Sequence, residues 1–214
     1  MKKKVIVVGS TGVVGAQLIN QLSSRDDISK IVSITRRPIV YNCSKVINEV
    51  INFDEIDKYQ ELLHGDALFS CLGTTLKLAG TIEKQRLVDV EHQYHFAKMA
   101  ASNGVSQYLL VSSSGADATS NNAYLKMKGQ LEGLVIKLEF ESIAIFQPSL
   151  LLGTRPDFRI AEVLGKYILP VLCLLPVLSK YKPITGEVVA KKMIAVAMNN
   201  NKGIGYYRLD DISQ

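Results

Sequence analysis

The sequence predicts an α/β fold: a doubly wound, mostly parallel sheet with helices on both faces and a small appendage towards the C-terminus. Three observations lead there. Short apolar runs alternate with stretches of helical periodicity, the pattern of successive βαβ units. Several runs, among them VIVV, YLLV and IAIF, are apolar throughout, as strands covered on both faces must be. The 214 residues are 47% hydrophobic and 21% charged, which suits one core and one domain over residues 1–214.

Strands are expected at Lys4–Gly9, Lys30–Arg36, Lys45–Phe53, Ala67–Cys71, Gln107–Ser112 and Ser142–Gln147. Helices are expected between them, at Val13–Ser23, Glu55–Leu63, Thr81–Asn103 and Ala123–Glu139, with Asn103-Gly104 as a helix stop. After Pro148 the alternation weakens. A helical stretch around Ile160–Tyr167, an apolar run at Ile168–Leu178, a helix from Gly186 to Met198 and a last strand in IGYYRL complete the reading.

Composition narrows the classes of function. The formal charge of +5 is spread over small groups such as Lys2–Lys4, Arg36-Arg37 and Lys191-Lys192, so no nucleic-acid footprint is present. Three scattered cysteines, Cys43, Cys71 and Cys173, form neither a disulfide framework nor a metal knuckle and fit a reducing compartment. The opening MKKKVIVVGS imitates a secretory signal, but its apolar run, Val5–Val8, is too short for a signal core. It reads as the first strand, and the chain as cytoplasmic. No run is long enough for a membrane span.

The turn VVGSTGVVGAQL places Gly9, Gly12 and Gly15 where the first strand gives way to a helix. Amides at a helix N-terminus lack internal partners and carry partial positive charge, and glycine lets a phosphate approach them. Gly9 suits the tight turn, Gly12 the approach of a pyrophosphate and Gly15 close helix–strand packing. The intervening Ser10, Thr11, Val13 and Val14 belong to the same dinucleotide cradle. At the end of the second strand, where NAD sites place an acid for the ribose 2′-hydroxyl, stands ITRRP. Arg36 and Arg37 suit a 2′-phosphate, which favours NADP(H) and leaves NAD(H) as second choice. Asp54 is placed to accept from the adenine amino group. Cys71, Leu72 and Gly73, ending the fourth strand in small residues, are placed for the coenzyme to pass over.

A second constellation lies in YLLVSSSGADATSNNAYLKMKGQLE. Tyr124 and Lys128 are four residues apart and share a helix face, while Ser112, Ser113 and Ser114 end a strand at the sheet edge where ligands bind. These types suit hydride transfer to a carbonyl. The oxygen gains negative charge and needs a proton, which a phenol gives more readily when an ammonium stabilises the phenolate. A serine hydroxyl would orient the carbonyl. Ser113 is the first candidate and Ser114 the second. His92 and His95, spaced as metal ligands, have no companion cluster and read as packing or surface residues. Cys71 reads as a buried small residue, not a reactive thiol.

On GSTGVVG, TRRP, VSSSGAD, YLKMKGQLE and FQPSLLLG, the chain resembles the short-chain dehydrogenase/reductase superfamily, and more closely its atypical Tat-interacting oxidoreductase-like branch. The resemblance covers about Val5 to Gly153. It implies a Rossmann domain, NADP(H) binding, Tyr124 as proton donor or acceptor and Lys128 beside it. It also implies that Gln147, Pro148, Leu150 and Leu151 line the nicotinamide end, although the branch often has arginine where Gln147 stands. Residues 149–182 are then a lid or interface segment on the substrate side. Within them, the run Ile168–Leu178 suits a pocket wall, a homodimer contact or, least well, a membrane surface.

The function expected is an NADPH-dependent oxidoreductase acting on a small carbonyl or alcohol. Two alternatives stand beside it: a coenzyme-sensing or protein-binding module without turnover, and a nucleotide-sugar epimerase or dehydratase. The last is disfavoured by the short chain after the sixth strand and by the arginine pair.

Overall fold

The structure is a computed structural model describing residues 2–152, 183–199 and 201–213. From residue 153 on, the expected substrate-side appendage lies outside the described residues, as do the helix expected at Ile160–Tyr167, the apolar run Ile168–Leu178 and Cys173.

Seven strands form one parallel sheet in the order β3-β2-β1-β4-β5-β6-β9. They are β1 (Lys3–Val8), β2 (Ile28–Thr35), β3 (Val46–Val50), β4 (Ala67–Ser70), β5 (Gln107–Val111), β6 (Ser142–Gln147) and β9 (Gly203–Arg208). Two residues each of β7 (Leu151–Leu152) and β8 (Ile184–Thr185) pair in parallel in a small separate sheet, which the sequence reading does not contain.

The central strands are apolar on both faces because both are covered. Along β1, Val5 and Val7 pack with Leu18 and Leu22 of α1 (Val13–Ser23) and with Val189 and Met193 of α6 (Gly186–Met198). The alternate residues Ile6 and Val8 face the other way, into a core with Phe96 and Ala100 of α4 (Gln93–Ser102) and Met127 and Leu131 of α5 (Ala123–Val135). Each fully buried side chain of this kind contributes about 1.5–3 kcal/mol. The period-2 alternation of a strand thus feeds two cores.

Several elements depart from expectation. The stretch expected as an α-helix at Glu55–Leu63 is a 3-10 segment, Phe53–Leu62, with Asn52 Oδ1 accepting from the Asp54 amide and non-helical dihedrals at Glu55 and Tyr59. The helix expected at Thr81–Asn103 begins as α3 (Ile82–Arg86), widens into a π-helical turn at Leu87–His92 and continues as α4. Before it, Thr75 caps an unforeseen short helix, α2 (Leu76–Ala79), closed by Gly80 at φ +84°. The helix expected to reach Glu139 ends at Val135. A last short helix, α7, covers Asp210–Ser213.

Candidate active site

In a doubly wound sheet the ligand crevice opens where strand order reverses. Here that point lies between β1 and β4. The loops leaving them, around Gly9–Gly12 and Cys71–Thr74, floor one long cleft along the carboxyl edge. Gly12, Cys71, Leu72, Gly73 and Thr74 border both of its halves, of about 1320 and 1090 Å3.

Glycine is required at the first loop for different reasons at different positions. Gly9 sits at φ +81°, and a Cβ on it would lie 2.4 Å from the carbonyl carbon and oxygen of Cys71. A Cβ on Gly15 would lie 2.1 Å from the Gly9 carbonyl oxygen, so this residue sets the distance from helix α1 to the strand exit. Gly12 is the N-cap of α1 in extended conformation, with no side-chain cap and no acidic residue in the first turn. The positive end of α1 is therefore open to an anion. The Ser10 side chain is turned inward, accepting from Ser33 Oγ (2.8 Å) and Tyr41 OH (3.1 Å), so only its backbone serves the cleft; Thr11 borders the cleft.

One half of the cleft is bordered by Arg36, Arg37 and Asp54. Both arginines are exposed at the end of β2, and the Arg36 guanidinium lies 5.9 Å from the Phe53 ring centroid. Lys84 of α3 adds a cation that the sequence reading missed. His92 lines this half too, its Nε2 3.9 Å from Asp54 Oδ1, and burial pulls it below its usual value. His95 contacts Asp57 at 2.6 Å.

The other half gathers Val13, Val14, Ser113, Ser114, Tyr124, Lys128, Pro148, Leu150 and Leu151. Asn122 Oδ1 accepts from the amides of Tyr124 and Leu125, which starts α5 just before the phenol. One turn on, Lys128 is 3% exposed, with Nζ 3.5 Å from the Val111 carbonyl oxygen and 5.9 Å from the Tyr124 ring centroid. Burial pushes the Cys71 thiol well above its usual value, against the pull of the Lys128 ammonium, and a neutral thiol is a poor nucleophile.

Of the three serines, Ser112 is committed elsewhere: its hydroxyl donates to Glu132 Oε1. Ser113 and Ser114 remain on the cleft wall. Gln147 lines neither half. It is buried, its amide nitrogen donating at 3.0 Å to each oxygen of Glu132 and its amide oxygen accepting from Arg208 Nε at 2.9 Å. Gln147 thus relays Glu132 to an arginine on the neighbouring strand β9.

Glu132 is a residue that sequence reasoning passed over, and Asp89 is another. Asp89, fully buried in the π-helical turn, accepts from the Thr74 amide (2.9 Å) and Gln85 Nε2 (3.3 Å). Burial pushes its carboxyl up, opposed by the Lys128 ammonium. For Glu132 the expected test is Glu132→Gln. The new amide puts an NH2 donor where one carboxylate oxygen accepts, against the Ser112 hydroxyl or the Gln147 amide nitrogen, both of which donate to Glu132, so chemical denaturation should show a loss of about 1–3 kcal/mol.

Comparison with known proteins agrees with this fold. HTATIP2 of Rattus norvegicus is 33% identical over 168 residues, covering 77% of this chain and 69% of its own. The FMP52 protein of Debaryomyces hansenii, named mitochondrial, is 34% identical over 197 residues, covering 89% and 86%. No protein-family model matches. Among solved structures, MoeE5 in complex with UDP-glucuronic acid and NAD superposes with a TM-score of 0.72 over 96% of this chain and 76% of its own, at 16% identity. The oxidoreductase ylbE from Lactococcus lactis gives 0.57 over 72% of each chain, at 23% identity.

The cytoplasmic expectation does not stand, since FMP52 relatives at 34–35% identity are named mitochondrial. A short basic and apolar opening and a cysteine count carry too little information to fix a compartment. The chain belongs to the family of HTATIP2 and FMP52, with the Rossmann fold of the short-chain dehydrogenases/reductases.

Proposed function

We propose that the protein is an NADPH-dependent oxidoreductase that reduces a small carbonyl or oxidises the matching alcohol. The observation that carries this reading is the continuity of the cleft, which runs from Arg36 and Arg37 over Gly12 to Tyr124, Lys128 and Ser113. The residues fit a dinucleotide. The open N-terminus of α1 suits the pyrophosphate, and the exposed arginine pair suits a 2′-phosphate. Leu72 and Gly73 offer a flat passage between them. Bound reduced coenzyme would supply the hydride that the carbonyl carbon accepts.

The chain's own residues manage the proton. Tyr124 OH gives its proton to the carbonyl oxygen as the C=O π bond opens, and the product is the alcohol. Lys128, held beside the phenol by its contact with Val111, stabilises the phenolate that is left and so eases the proton's departure, and solvent returns the proton to Tyr124 before the next turnover. Ser113 donates to the same carbonyl oxygen and fixes its approach, with Ser114 the second candidate. Helix α5 makes the arrangement rigid, being capped by Asn122 at its start and tied through Glu132 to β5 and β6.

Coenzyme titration tests the first half of the reading. Wild type should bind NADPH more tightly than NADH. Removing the guanidinium in Arg36→Ala or Arg37→Ala should cut NADPH affinity about ten- to a hundredfold, the worth of a charge-assisted hydrogen bond, while leaving NADH nearly untouched. Failure of wild type to bind either reduced coenzyme would overturn the proposal. Binding without turnover of any carbonyl would replace the enzyme by a coenzyme-sensing module.

A further inference from the structure

Resting on that reading, the wall beyond Tyr124 also carries information about what the carbonyl is attached to. Among the described residues, Lys128 is the sole charged side chain on this half of the cleft. The polar side chains beside it are largely engaged within the protein. Thr75 Oγ1 accepts from the Leu78 amide, Gln85 Nε2 donates to the Thr74 carbonyl and to Asp89, and Ser112 donates to Glu132. Asn122 Oδ1 is occupied by two amides of α5. A ligand therefore meets one polar corner, formed by Ser113, Ser114, Tyr124 and Lys128.

The rest of the wall is apolar and open. Leu76 is 48% exposed, Ile82 49% and Leu150 39%, although all three border the cleft. They come from the two short helices after β4 and from the turn after β6, so their convergence is tertiary and not the accident of one amphipathic helix. Apolar side chains left in water around a polar corner gain most from a ligand that is polar at one end only. A nucleotide sugar or an oxo acid would bring charges onto the apolar wall, where the described residues offer no cation besides the Lys128 that attends the phenol.

We propose that the substrate is an uncharged carbonyl compound carrying an apolar chain or ring. Its oxygen sits at Ser113 and Tyr124, and its hydrocarbon lies on Leu76, Ile82 and Leu150. Ile82 is the specificity-determining position to alter. It opens α3, where an aspartate suits the helix N-terminus, so Ile82→Asp keeps the fold while putting charge on the wall.

The test uses the full chain with NADPH and the methyl ketones from 2-butanone to 2-decanone, with 9-oxodecanoate as the anionic match to the longest. The value of kcat/KM should rise about three- to fourfold per methylene until the wall is covered. The anion should lose most of that gain, and Ile82→Asp should lower the ratio of 2-decanone to 2-butanone, with Ile82→Ser as the uncharged second variant. Saturation-transfer NMR with 2-decanone and 9-oxodecanoate reads binding without turnover. Ketone reduction with a flat chain-length profile, or with the anion equal to 2-decanone, overturns the lipophilic substrate and leaves the oxidoreductase standing. Selective binding of 2-decanone without reduction, weakened by Ile82→Asp, supports the apolar site and overturns the oxidoreductase. Neither binding nor reduction overturns both.

Discussion

Tyr124→Phe should lower kcat about a hundred- to ten-thousandfold, the usual contribution of a positioned general acid, while NADPH titrates as before. The change removes one oxygen from a ring that borders the cleft and leaves the packing of α5 alone. Its specificity comes from Lys128, whose ammonium lies on the ring side of the phenol and reaches back to the Val111 carbonyl. Stopped-flow measurement of NADPH oxidation with a reactive ketone separates the outcomes. A slow single turnover with normal coenzyme affinity assigns the proton to Tyr124. An unchanged rate would remove the phenol from the chemistry and leave Lys128 or solvent as the donor.

Gly9→Ala should be the most damaging small substitution at the coenzyme cradle. The added methyl would sit 2.4 Å from two backbone atoms of Cys71 and 2.6 Å from the Leu72 amide, and no rotamer change can relieve a clash with backbone. The left-handed conformation costs an alanine about 1–2 kcal/mol, and overpacking adds about 1–3 kcal/mol. Urea denaturation should show both, and NADPH affinity should fall because the β1 and β4 exits are forced apart. Gly133→Ala is the control. It lies within α5, where a Cβ meets nothing within 4 Å, and should stabilise by about 0.5–1 kcal/mol.

Much of this was legible in the amino-acid order, and particular residues explain why. VIVV, YLLV and IAIF are apolar throughout because both faces of β1, β5 and β6 are covered, which locates central parallel strands without ambiguity. The glycines at 9, 12 and 15 and the pair Tyr124 and Lys128 are local patterns, each contained in one loop or one helical turn. Glu132 and Arg208 are different. In KMKGQLEG and YYRLDD they look like solvated charges, and only the pairing of β9 with β6 brings Arg208 to Gln147 and so to Glu132. Asp89 is hidden in the same way, since nothing in LVDVEH announces that the helix widens there and closes over the β4 exit. The segment at 53–62 was misread because its apolar spacing is helical, while the dihedrals of Glu55 and Tyr59 break it.

The start of α6 has a bearing on mutational surveys. A Cβ on Gly186 would lie 2.2 Å from the carbonyl oxygen of Val13, in the first turn of α1. The first turn of α1, where the proposed anion cradle lies, is therefore packed against a stretch more than 170 positions away in the chain. A side chain introduced at that remote glycine would act as a wedge and weaken coenzyme capture without ever touching the coenzyme.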